Sequence, residues 1–539
     1  MAGAVFACGR GGHASLSEAE SDYLNARRLK DQIEVTRARG AQSTPGGLAL
    51  KDLLAKYRVT RDRLRAALPA ESSVPAGADR RAIEVMRRAL EKDLGEEKEA
   101  PADAAPGVPE SVDCDYDPAV LARGPGGMQN LGDRMYACFG KAAHHLTFEG
   151  QTLDRLTVFS LLPITDDAER RRRAFLALEP VWRAINADDG EGSPYRRLAR
   201  LSAAKFAADK SSVEEAARGL GIDPGLVEGW LTAVLDTWRA IAPDREIEPW
   251  DFAYEAGKAS RALARAITLG SLRSVNDRFY ADLGADTKAL GIQYDLEPRE
   301  GKDPVAFTTF GDRPEEGARP NGEPWVFAAY TVGSVDNLNE LLHETGHAIH
   351  IAAIRTRPAF TDWPDSDVFT EAIADIAALE MFEPEWQRKY LGTAVALDES
   401  IRAKYAGIVM DTAWALFEIR MHHDLGADPN AVWTDITRRY FRIRPHPEMS
   451  WWAVRGQLVN APGYMLNYAL GAILIADLRA RAREAHGPYV AGDPTWYRWV
   501  SDRLYRFGLE RPSREVAEEF LDRPISPKAL LDDMARARR

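Results

Sequence analysis

The decamer LLHETGHAIH, Leu341–His350, is the most restrictive feature of this 539-residue sequence. Apolar residues recur at helical spacing in the longer stretch VDNLNELLHETGHAIH, and they predict a helix over Ser334–Arg355. His343 and His347 lie four positions apart, so one helix would present both imidazoles on the same face. This spacing favours a metal-binding helix over an ordinary helix that happens to contain histidines.

Two carboxylates complete the predicted site. Glu344 follows the first histidine, where its carboxylate can reach a water on the metal and act as a general base. A downstream amphipathic stretch, Val368–Phe382, carries Glu371 and Asp375 four positions apart. A catalytic zinc site takes three protein ligands and leaves a fourth position open. Glu371 is therefore predicted as the third ligand, and Asp375 as the residue that orients a ligating histidine by a hydrogen bond.

These residues predict a site for one Zn²⁺ ion with three ligands, His343, His347 and Glu371. His350 lies three positions beyond His347 on nearly the same face, and we interpret it as a residue that packs behind the ligands or supports them. A metal site with an adjacent base indicates hydrolysis by an activated water molecule.

Helical periodicity continues through most of the chain and predicts a mainly α-helical fold. Residues 16–94 read as three helices. Further helices are expected at Asp166–Ile185, Ser212–Ile241, Ser271–Leu290, Phe369–Leu379, Ile401–Leu425 and Met465–Ala485. Two β-branched and aromatic stretches, Val305–Phe310 and Trp325–Tyr330, predict a small antiparallel sheet beside the metal helix. We expect the second strand to hold an extended peptide along its edge.

The segment Gly95–Pro118 combines acidic residues, alanine and proline, a composition typical of a linker. The chain is also longer than one compact core usually covers. We therefore predict a disordered or processed N-terminus at residues 1–15, a helical N-terminal region with its linker at 16–110, and a catalytic domain at 111–539 with the zinc site at 343–375. Two lobes around a deep central channel are the expected architecture.

Composition excludes several classes of protein. No apolar run reaches the roughly 20 residues that a membrane-spanning helix needs, and a net charge of −12 argues against a nucleic-acid partner. The three cysteines allow at most one disulfide. Val5–Cys8 resembles the end of a bacterial lipoprotein signal. The expected location is therefore the cytoplasm, or the periplasm with a lipid anchor if that segment is such a signal.

The motifs around the metal helix resemble those of two related families of gluzincin metallopeptidases. DLEPREGK at Asp295–Lys302, the stretch VAFTTFG, and the long histidine motif ending at His350 resemble the thimet oligopeptidase family. TEAIADIAALEMFEPE at Thr370–Glu385 resembles the glutamate segment of the angiotensin-converting enzyme family. The resemblance covers about residues 294–485. It implies a zinc peptidase of the oligopeptidase or peptidyl-dipeptidase type that cuts short peptides.

The resemblance also implies a role for two tyrosines in PGYMLNYALG, Pro462–Gly471. In both families a tyrosine hydroxyl of this segment donates a hydrogen bond to the oxyanion of the tetrahedral intermediate. Tyr468 matches that tyrosine, and Tyr464 matches a second one. Both families carry a substrate-contacting histidine shortly before this segment, whereas residues 458–459 of this chain are apolar and the nearest histidine is His446.

The sequence thus predicts a zinc-dependent peptidase with a peptide as its binding partner. One alternative is a zinc-dependent hydrolase of amides or modified peptides, which the missing histidine and the N-terminal helices motivate. The other is an inactive peptide-binding protein on the same scaffold. An inactive protein would be expected to lack a metal ligand or the base. All four of these residues are present in the sequence: His343, Glu344, His347 and Glu371.

Overall fold

The computed structural model describes residues 15–95, 114, 117–124, 126–190, 192–299, 302, 305–314 and 322–538. The predicted N-terminal segment and most of the predicted linker lie outside these residues. Helices make up most of the described chain and strands are short, which confirms the mainly α-helical fold. None of the described helices is long and apolar enough to cross a membrane.

The N-terminal region forms three helices, α1 (Leu16–Ala38), α2 (Leu50–Ala67) and α3 (Ala78–Lys92). Helix α1 begins after Ser15 because the side chains of Ser15 and Glu18 each accept a hydrogen bond from the other residue's backbone N–H. Apolar side chains of the three helices form a hydrophobic cluster of their own. Two buried residues from the rest of the chain join this cluster, Ala359 and Phe360.

The first part of the main body is helical apart from one hairpin. Its helices are α4 (Pro118–Leu121), α5 (Gly127–His144), α6 (Arg155–Leu161), α7 (Ala168–Leu176), α8 (Glu179–Asn186), α9 (Pro194–Ala208), α10 (Pro224–Ile241), α11 (Phe252–Ala256), α12 (Lys258–Leu263) and α13 (Leu269–Asp282). Strands β1 (Leu146–Phe148) and β2 (Gln151–Leu153) pair antiparallel. Short 3-10 helices span Val213–Leu220 and Pro249–Asp251 here, and Glu71–Ser73 in the N-terminal region.

Prolines divide two of the helices expected from periodicity. The stretch 166–185 forms α7 and α8, because Pro180 is tolerated only in the first turn of a helix. The stretch 212–241 divides in the same way, since Pro224 opens α10 and a 3-10 helix precedes it. The helix expected to reach residue 290 ends at Asp282. These expectations were wrong in extent, although each segment is largely helical.

The second part of the main body carries the helix with the histidine motif. Its helices are α14 (Val335–Ala353), α15 (Asp367–Ala378), α16 (Pro384–Leu391), α17 (Leu397–His423), α18 (Pro429–Phe441), α19 (Gln457–Asn460), α20 (Met465–Ala485), α21 (Trp496–Val500), α22 (Ser513–Leu521) and α23 (Lys528–Ala535). Shorter 3-10 helices span Pro358–Phe360, Leu379–Phe382, Trp451–Val454 and Arg536–Arg538, and a π-helical turn spans Ser501–Tyr505.

The sheet beside α14 has three strands, β3 (Gln293–Asp295), β4 (Phe307–Thr309) and β5 (Trp325–Phe327), in the order β3-β5-β4. The expected antiparallel pair is β4 with β5, but β3 pairs parallel with β5, so the sheet is mixed and not antiparallel. Strand β5 is central, and both of its edges are paired. The expectation that this strand offers an edge to a peptide is therefore wrong over its paired residues, and β4 is the edge strand next to α14.

A buried group of ion pairs joins α1 to the chain that follows β4. The guanidinium of Arg313 binds the Asp31 carboxylate at 2.7 and 3.1 Å and lies 3.1 Å from that of Asp362. Arg27 reaches the same Asp362 at 2.6 Å. All four residues are buried. The N-terminal helices are thus fixed to the main body by paired charges as well as by the apolar cluster.

One disulfide is present among the described residues. Cys114 and Cys138 are bonded, with their Cα atoms 5.5 Å apart. The bond ties the end of the predicted linker to α5, and it is the single bridge that three cysteines allow. Cys8 lies outside the described residues.

Candidate metal centre

Helix α14 carries both histidines of the motif, and its N-terminus is capped by a side chain. Ser334 caps the helix by accepting a hydrogen bond from the Asn337 N–H at 3.0 Å. Leu338, Leu341 and Leu342 are fully buried, so the apolar side of the helix is packed into the core. The rings of His343 and His347, one turn apart, meet edge to face with their centroids at 4.6 Å.

Helix α15 approaches α14 unusually closely at Gly346. A Cβ atom on Gly346 would lie 2.1 Å from the carbonyl oxygen of Ala374, well inside van der Waals contact. Only glycine therefore fits at position 346 of the motif. The contact brings Glu371 and Asp375 within reach of the histidines, because both carboxylates project from the turns of α15 that flank Ala374.

Three side chains converge on one point: His343, His347 and Glu371. The Nε2 atoms of the histidines are 3.1 Å apart. The Glu371 oxygens lie 3.2 Å from Nε2 of His343 and 3.6 Å from Nε2 of His347. A tetrahedral zinc ion with bonds of about 2.0–2.1 Å separates its ligand atoms by about 3.3 Å. The two nitrogens and the carboxylate therefore fit a zinc ion in type and spacing.

The charges around the histidines suit a cation. Burial opposes a charge on His343, but the Asp375 and Glu371 carboxylates outweigh it and raise the pKa of His343 well above its ordinary value. Burial likewise opposes a charge on Glu371, yet the two histidines hold the pKa of this carboxyl well below its ordinary value. The Glu371 side chain is 58% exposed, so the site opens to solvent on its side.

Asp375 and Thr308 orient the groups at the centre. The Nδ1 atom of His343 lies 2.8 Å from Oδ1 of Asp375, which leaves Nε2 free to bind a metal. The Thr308 hydroxyl, on edge strand β4, donates to the buried Glu344 carboxylate at 2.7 Å. Sequence reasoning did not identify Thr308, although it lies in the VAFTTFG stretch; only the pairing of β4 beside α14 reveals the contact.

His350 lies behind the ligands and contacts aromatic rings. It is fully buried, and its ring packs against those of Trp363 and Tyr505 at 5.7 and 5.5 Å. Neither ring nitrogen has a hydrogen-bond partner in the described structure. Burial, together with the nearby His347, lowers the pKa of His350 to about 3, so the ring is neutral at physiological pH. These contacts are those of a packing residue.

Tyrosine hydroxyls donate hydrogen bonds to the backbones of α14 and α15. On α14, Tyr280 donates to the carbonyl oxygen of Leu342 at 2.5 Å and Tyr497 to that of Ile349 at 2.9 Å. On α15, Tyr505 donates to the carbonyl oxygen of Ile373 at 3.1 Å and Tyr489 to that of Ile376 at 3.2 Å. These contacts join residues far apart in the chain, and no local sequence pattern predicts them. They tie α14 and α15 to the neighbouring segments that carry the four tyrosines.

Tyr464 and Tyr468 lie at the start of α20, with their rings 5.5 Å apart. Burial raises the pKa of both hydroxyls, and the negative charge of Glu371 contributes to each increase. Both tyrosines therefore lie within electrostatic reach of the metal centre. The side chain of Tyr468 is partly exposed, and its hydroxyl accepts a hydrogen bond from Gln457 at 3.4 Å.

His446, the nearest histidine before the tyrosine segment in the sequence, is not among the three converging side chains. His446 is held by Glu248 at 2.9 Å and Glu448 at 2.7 Å, and its ring packs on Trp250. Residues 458–459 are buried. The polar groups beside Tyr468 are instead Gln457 and Arg455, whose guanidinium carbon lies 6.0 Å from the centre of the tyrosine ring.

Comparisons with known proteins concern the fold. No protein-family model matches the sequence, and no curated protein gives a significant match. A solved structure described as an oligoendopeptidase F has a TM-score of 0.56 and 15% identity, over 98% of this chain and 97% of that one. PZ peptidase A, solved with an inhibitor, has a TM-score of 0.54 and 13% identity, over 98% and 97%.

A third solved structure, metallocarboxypeptidase 1 of Trypanosoma cruzi, has a TM-score of 0.51 and 13% identity, over 97% of this chain and 99% of that one. All three matches extend along nearly the whole of both chains. Their low identities restrict what they establish to the architecture. This chain therefore shares the helical fold of these peptidases over almost its entire length.

Proposed function

We propose that this chain is a zinc-dependent peptidase that hydrolyses peptide bonds in short peptides. The observation that carries the proposal is the convergence of His343, His347 and Glu371 with ligand atoms within 4.8 Å of one another, next to the buried carboxylate of Glu344. The motif resemblance to the thimet oligopeptidase and angiotensin-converting enzyme families supports it, as does the fold shared with solved peptidases.

The chemistry divides among a few side chains. A zinc ion on the three ligands would acidify a bound water and polarise the scissile carbonyl. Glu344 accepts the proton of the attacking water and delivers it to the leaving amine. The Thr308 hydroxyl holds the Glu344 carboxylate in place for both transfers. Tyr468 donates a hydrogen bond to the oxyanion, with Tyr464 beside it.

The peptide would bind along the edge of strand β4. Among the described residues this strand pairs on one side only, and its Thr308 contacts the proposed base. Main-chain hydrogen bonds to an edge strand hold a substrate in an extended form without regard to its side chains. The proposal moves the peptide site from β5, where the sequence suggested it, to β4.

The test combines metal analysis with one substitution. Purified protein is expected to bind one zinc ion per chain and to cleave members of a mixed peptide library. Mass spectrometry identifies the cleavage products. Glu344→Gln should retain the zinc and lower turnover by roughly 10²–10⁴-fold, the usual contribution of a general base. Glu385→Gln, at an exposed position on α16, is the matched control and should retain full activity.

Two outcomes would contradict the proposal. One is protein that neither contains zinc nor takes it up. The other is full activity in Glu344→Gln. Non-peptide amides in the same library separate the alternative amide hydrolase, which would cleave those amides and leave unrelated peptides intact. A protein that binds peptides but cleaves nothing, with zinc bound, would be the inactive alternative.

A further inference from the structure

The two histidines of the candidate metal centre differ in what holds their rings. Nδ1 of His343 lies 2.8 Å from Oδ1 of Asp375. His347 is buried, and its Nδ1 has no hydrogen-bond partner in the described structure. A neutral imidazole that binds a metal through Nε2 carries its proton on Nδ1, and metal-binding histidines usually donate this N–H to a carboxylate or a carbonyl. Some other group must therefore fix the ring of His347.

The indole of Trp363 meets the ring of His347. The two ring centroids are 5.5 Å apart and the ring planes are inclined at 79°, which is an edge-to-face arrangement. Aromatic rings attract each other in this geometry because a positive edge meets a negative face, and an N–H directed at an aromatic face forms a weak hydrogen bond. The indole nitrogen is a donor only, so Trp363 does not bind a metal itself. Its effect on the metal centre passes through His347.

Trp363 is itself packed on several sides. The ring of Phe310, which follows β4, meets the indole at 5.0 Å and 70°. The ring of His350 lies 5.7 Å away, and Ile351 and Ile354 complete a small apolar cluster around the indole. A side chain enclosed in this way keeps one rotamer, because close-packed neighbours leave no room for another. The indole therefore offers His347 a fixed surface.

The backbone of Trp363 is anchored to the N-terminal helices. Its N–H donates to Oδ1 of the preceding residue, Asp362, at 2.9 Å. The Asp362 carboxylate is bound by Arg27 of α1 at 2.6 Å and by Arg313 at 3.1 Å, and the Tyr23 hydroxyl of α1 donates to it at 3.4 Å. Printed by the fold is thus a continuous series of contacts from α1 through Asp362 and Trp363 to the proposed ligand.

We propose that Trp363 is a positioning residue for the metal centre, which holds the ring of His347 with Nε2 towards the metal in place of a hydrogen-bond acceptor. This inference rests on the proposed peptidase function, since it requires a metal ion on His347. Rotation of an unsupported ring would move Nε2 away from its place 3.1 Å from Nε2 of His343. Loss of a group that supports a ligand typically weakens metal binding by about 10- to 100-fold. The N-terminal helices acquire a role as well, because α1 holds the segment that carries Trp363.

The experiment measures zinc affinity by competition with a chromophoric chelator. Trp363→Leu removes the aromatic face and should weaken zinc binding by about 10- to 100-fold. Trp363→Phe retains a face for the edge of His347 and should bind zinc nearly as tightly as the wild type. Trp499→Leu is the matched control, because Trp499 packs on the ring of His486 at 5.0 Å, a histidine outside the converging set. It should leave zinc affinity unchanged.

Cobalt(II) gives a second measurement that does not depend on turnover. The visible absorption of a bound cobalt ion depends on the type and geometry of its ligands. Trp363→Leu should alter the spectrum of the cobalt-loaded protein, whereas Trp363→Phe should reproduce that of the wild type. Thermal unfolding of the metal-free proteins verifies that each variant is folded. Trp363→Met, which also lacks a ring but fills more of the space, takes the place of Trp363→Leu if the latter does not fold.

Each outcome has a separate meaning. A wild-type protein that takes up no zinc would contradict the proposed function itself. Zinc bound by the wild type and bound equally tightly by the variants without a ring, with the same cobalt spectrum, would overturn the role of Trp363 and leave the peptidase intact. Lower stability with unchanged zinc affinity would make Trp363 a packing residue only, and it would overturn the proposal too. Equal losses in Trp363→Phe and Trp363→Leu would overturn the edge-to-face contact as the cause.

Discussion

Single residues at the centre are each held by a partner from another part of the chain. Asp375 orients His343 at 2.8 Å, Thr308 holds Glu344 at 2.7 Å, and Gln457 reaches Tyr468 at 3.4 Å. Such support fixes a side chain near one rotamer, so that little reorganisation is needed when the reaction begins. The contribution of each residue is therefore measurable by a small change that leaves its partner in place.

Tyr468→Phe removes one hydroxyl and retains the ring. If this hydroxyl stabilises the oxyanion, kcat should fall by roughly 10²–10³-fold, the loss typical of one preorganised donor. Steady-state kinetics on a cleaved library peptide measures the change, and circular dichroism verifies the fold. Tyr254→Phe, which removes a hydroxyl bonded to Asp166, should leave kcat unchanged. A loss of only a few-fold in Tyr468→Phe would withdraw the oxyanion role.

At the scale of elements, the centre depends on how closely α14 and α15 pack. Their contact at Gly346 and Ala374 sets the distance between the histidines and Glu371. Helix α20 adds the tyrosines, and its start is held by α17. The Glu418 carboxylate of α17 accepts hydrogen bonds from the N–H groups of Gly463 at 2.8 Å and Met465 at 3.1 Å. The site is thus assembled from helix contacts.

Gly346→Ala should separate the two metal helices. The added Cβ would lie 2.1 Å from the Ala374 carbonyl, and overpacking of this kind typically costs about 1–3 kcal/mol of stability. Zinc affinity should fall as well, because Glu371 moves away from the histidines. Urea unfolding and zinc titration measure both effects. Gly407→Ala, at a helical glycine of α17 with open space around it, is the control and should be neutral or stabilise the protein by up to about 1 kcal/mol. Equal effects of the two substitutions would contradict the proposed role of the close contact at Gly346.

Glu418 gives the fold a defined pH dependence. Complete burial raises the pKa of Glu418 from 4.5 to about 8, although two backbone N–H groups oppose the increase. Its contribution to stability is therefore fully present below about pH 4.5 and is lost as the pH rises to about 8. The slope of its contribution is at most about 1.4 kcal/mol per pH unit. Denaturant unfolding between pH 5 and 9 should show this loss in the wild type and a smaller one in Glu418→Gln; identical slopes would contradict it.

At the scale of the whole molecule, the N-terminal helices are fixed to the main body beside the metal centre. Arg313, four residues after β4, binds Asp31 of α1, and Thr309 of β4 donates to Glu34 of the same helix at 2.7 Å. The strand that holds Thr308 against Glu344 is therefore braced from its other side by α1. The predicted division at residue 110 remains a proposal, since most of that linker lies outside the described residues.

Arg313→Met should destabilise the protein strongly. It leaves the buried carboxylates of Asp31 and Asp362 without their shared cation, and breaking a buried ion pair from one side typically costs about 3–5 kcal/mol. Denaturant unfolding measures the loss. Arg183→Met, at an exposed arginine paired with the exposed Glu179, should change stability by less than about 0.5 kcal/mol. Similar values for the two variants would show that the buried network does not secure α1.

Local patterns predicted the elements well where nothing interrupts them. Helix α20 spans the expected Met465–Ala485, because its apolar residues repeat at helical spacing without an internal proline. Pro180 and Pro224 shortened two other helices, since proline is tolerated only in a first turn. Strand β3 was not predicted, and its parallel pairing with β5 made the sheet mixed. Pairing between strands 30 residues apart leaves no local signature.

The sequence by itself predicted the residues of the candidate metal centre on α14 and α15. Helical geometry places residues four positions apart on one face, and it depends only on neighbouring residues. This rule brings His343 and His347 together on α14. It likewise brings Glu371 and Asp375 together on α15. Tertiary structure decided the rest: the close contact at Gly346, the central position of β5, and the contact of Thr308 with Glu344. These features join distant segments, and packing of the whole chain fixes them because no local interaction does.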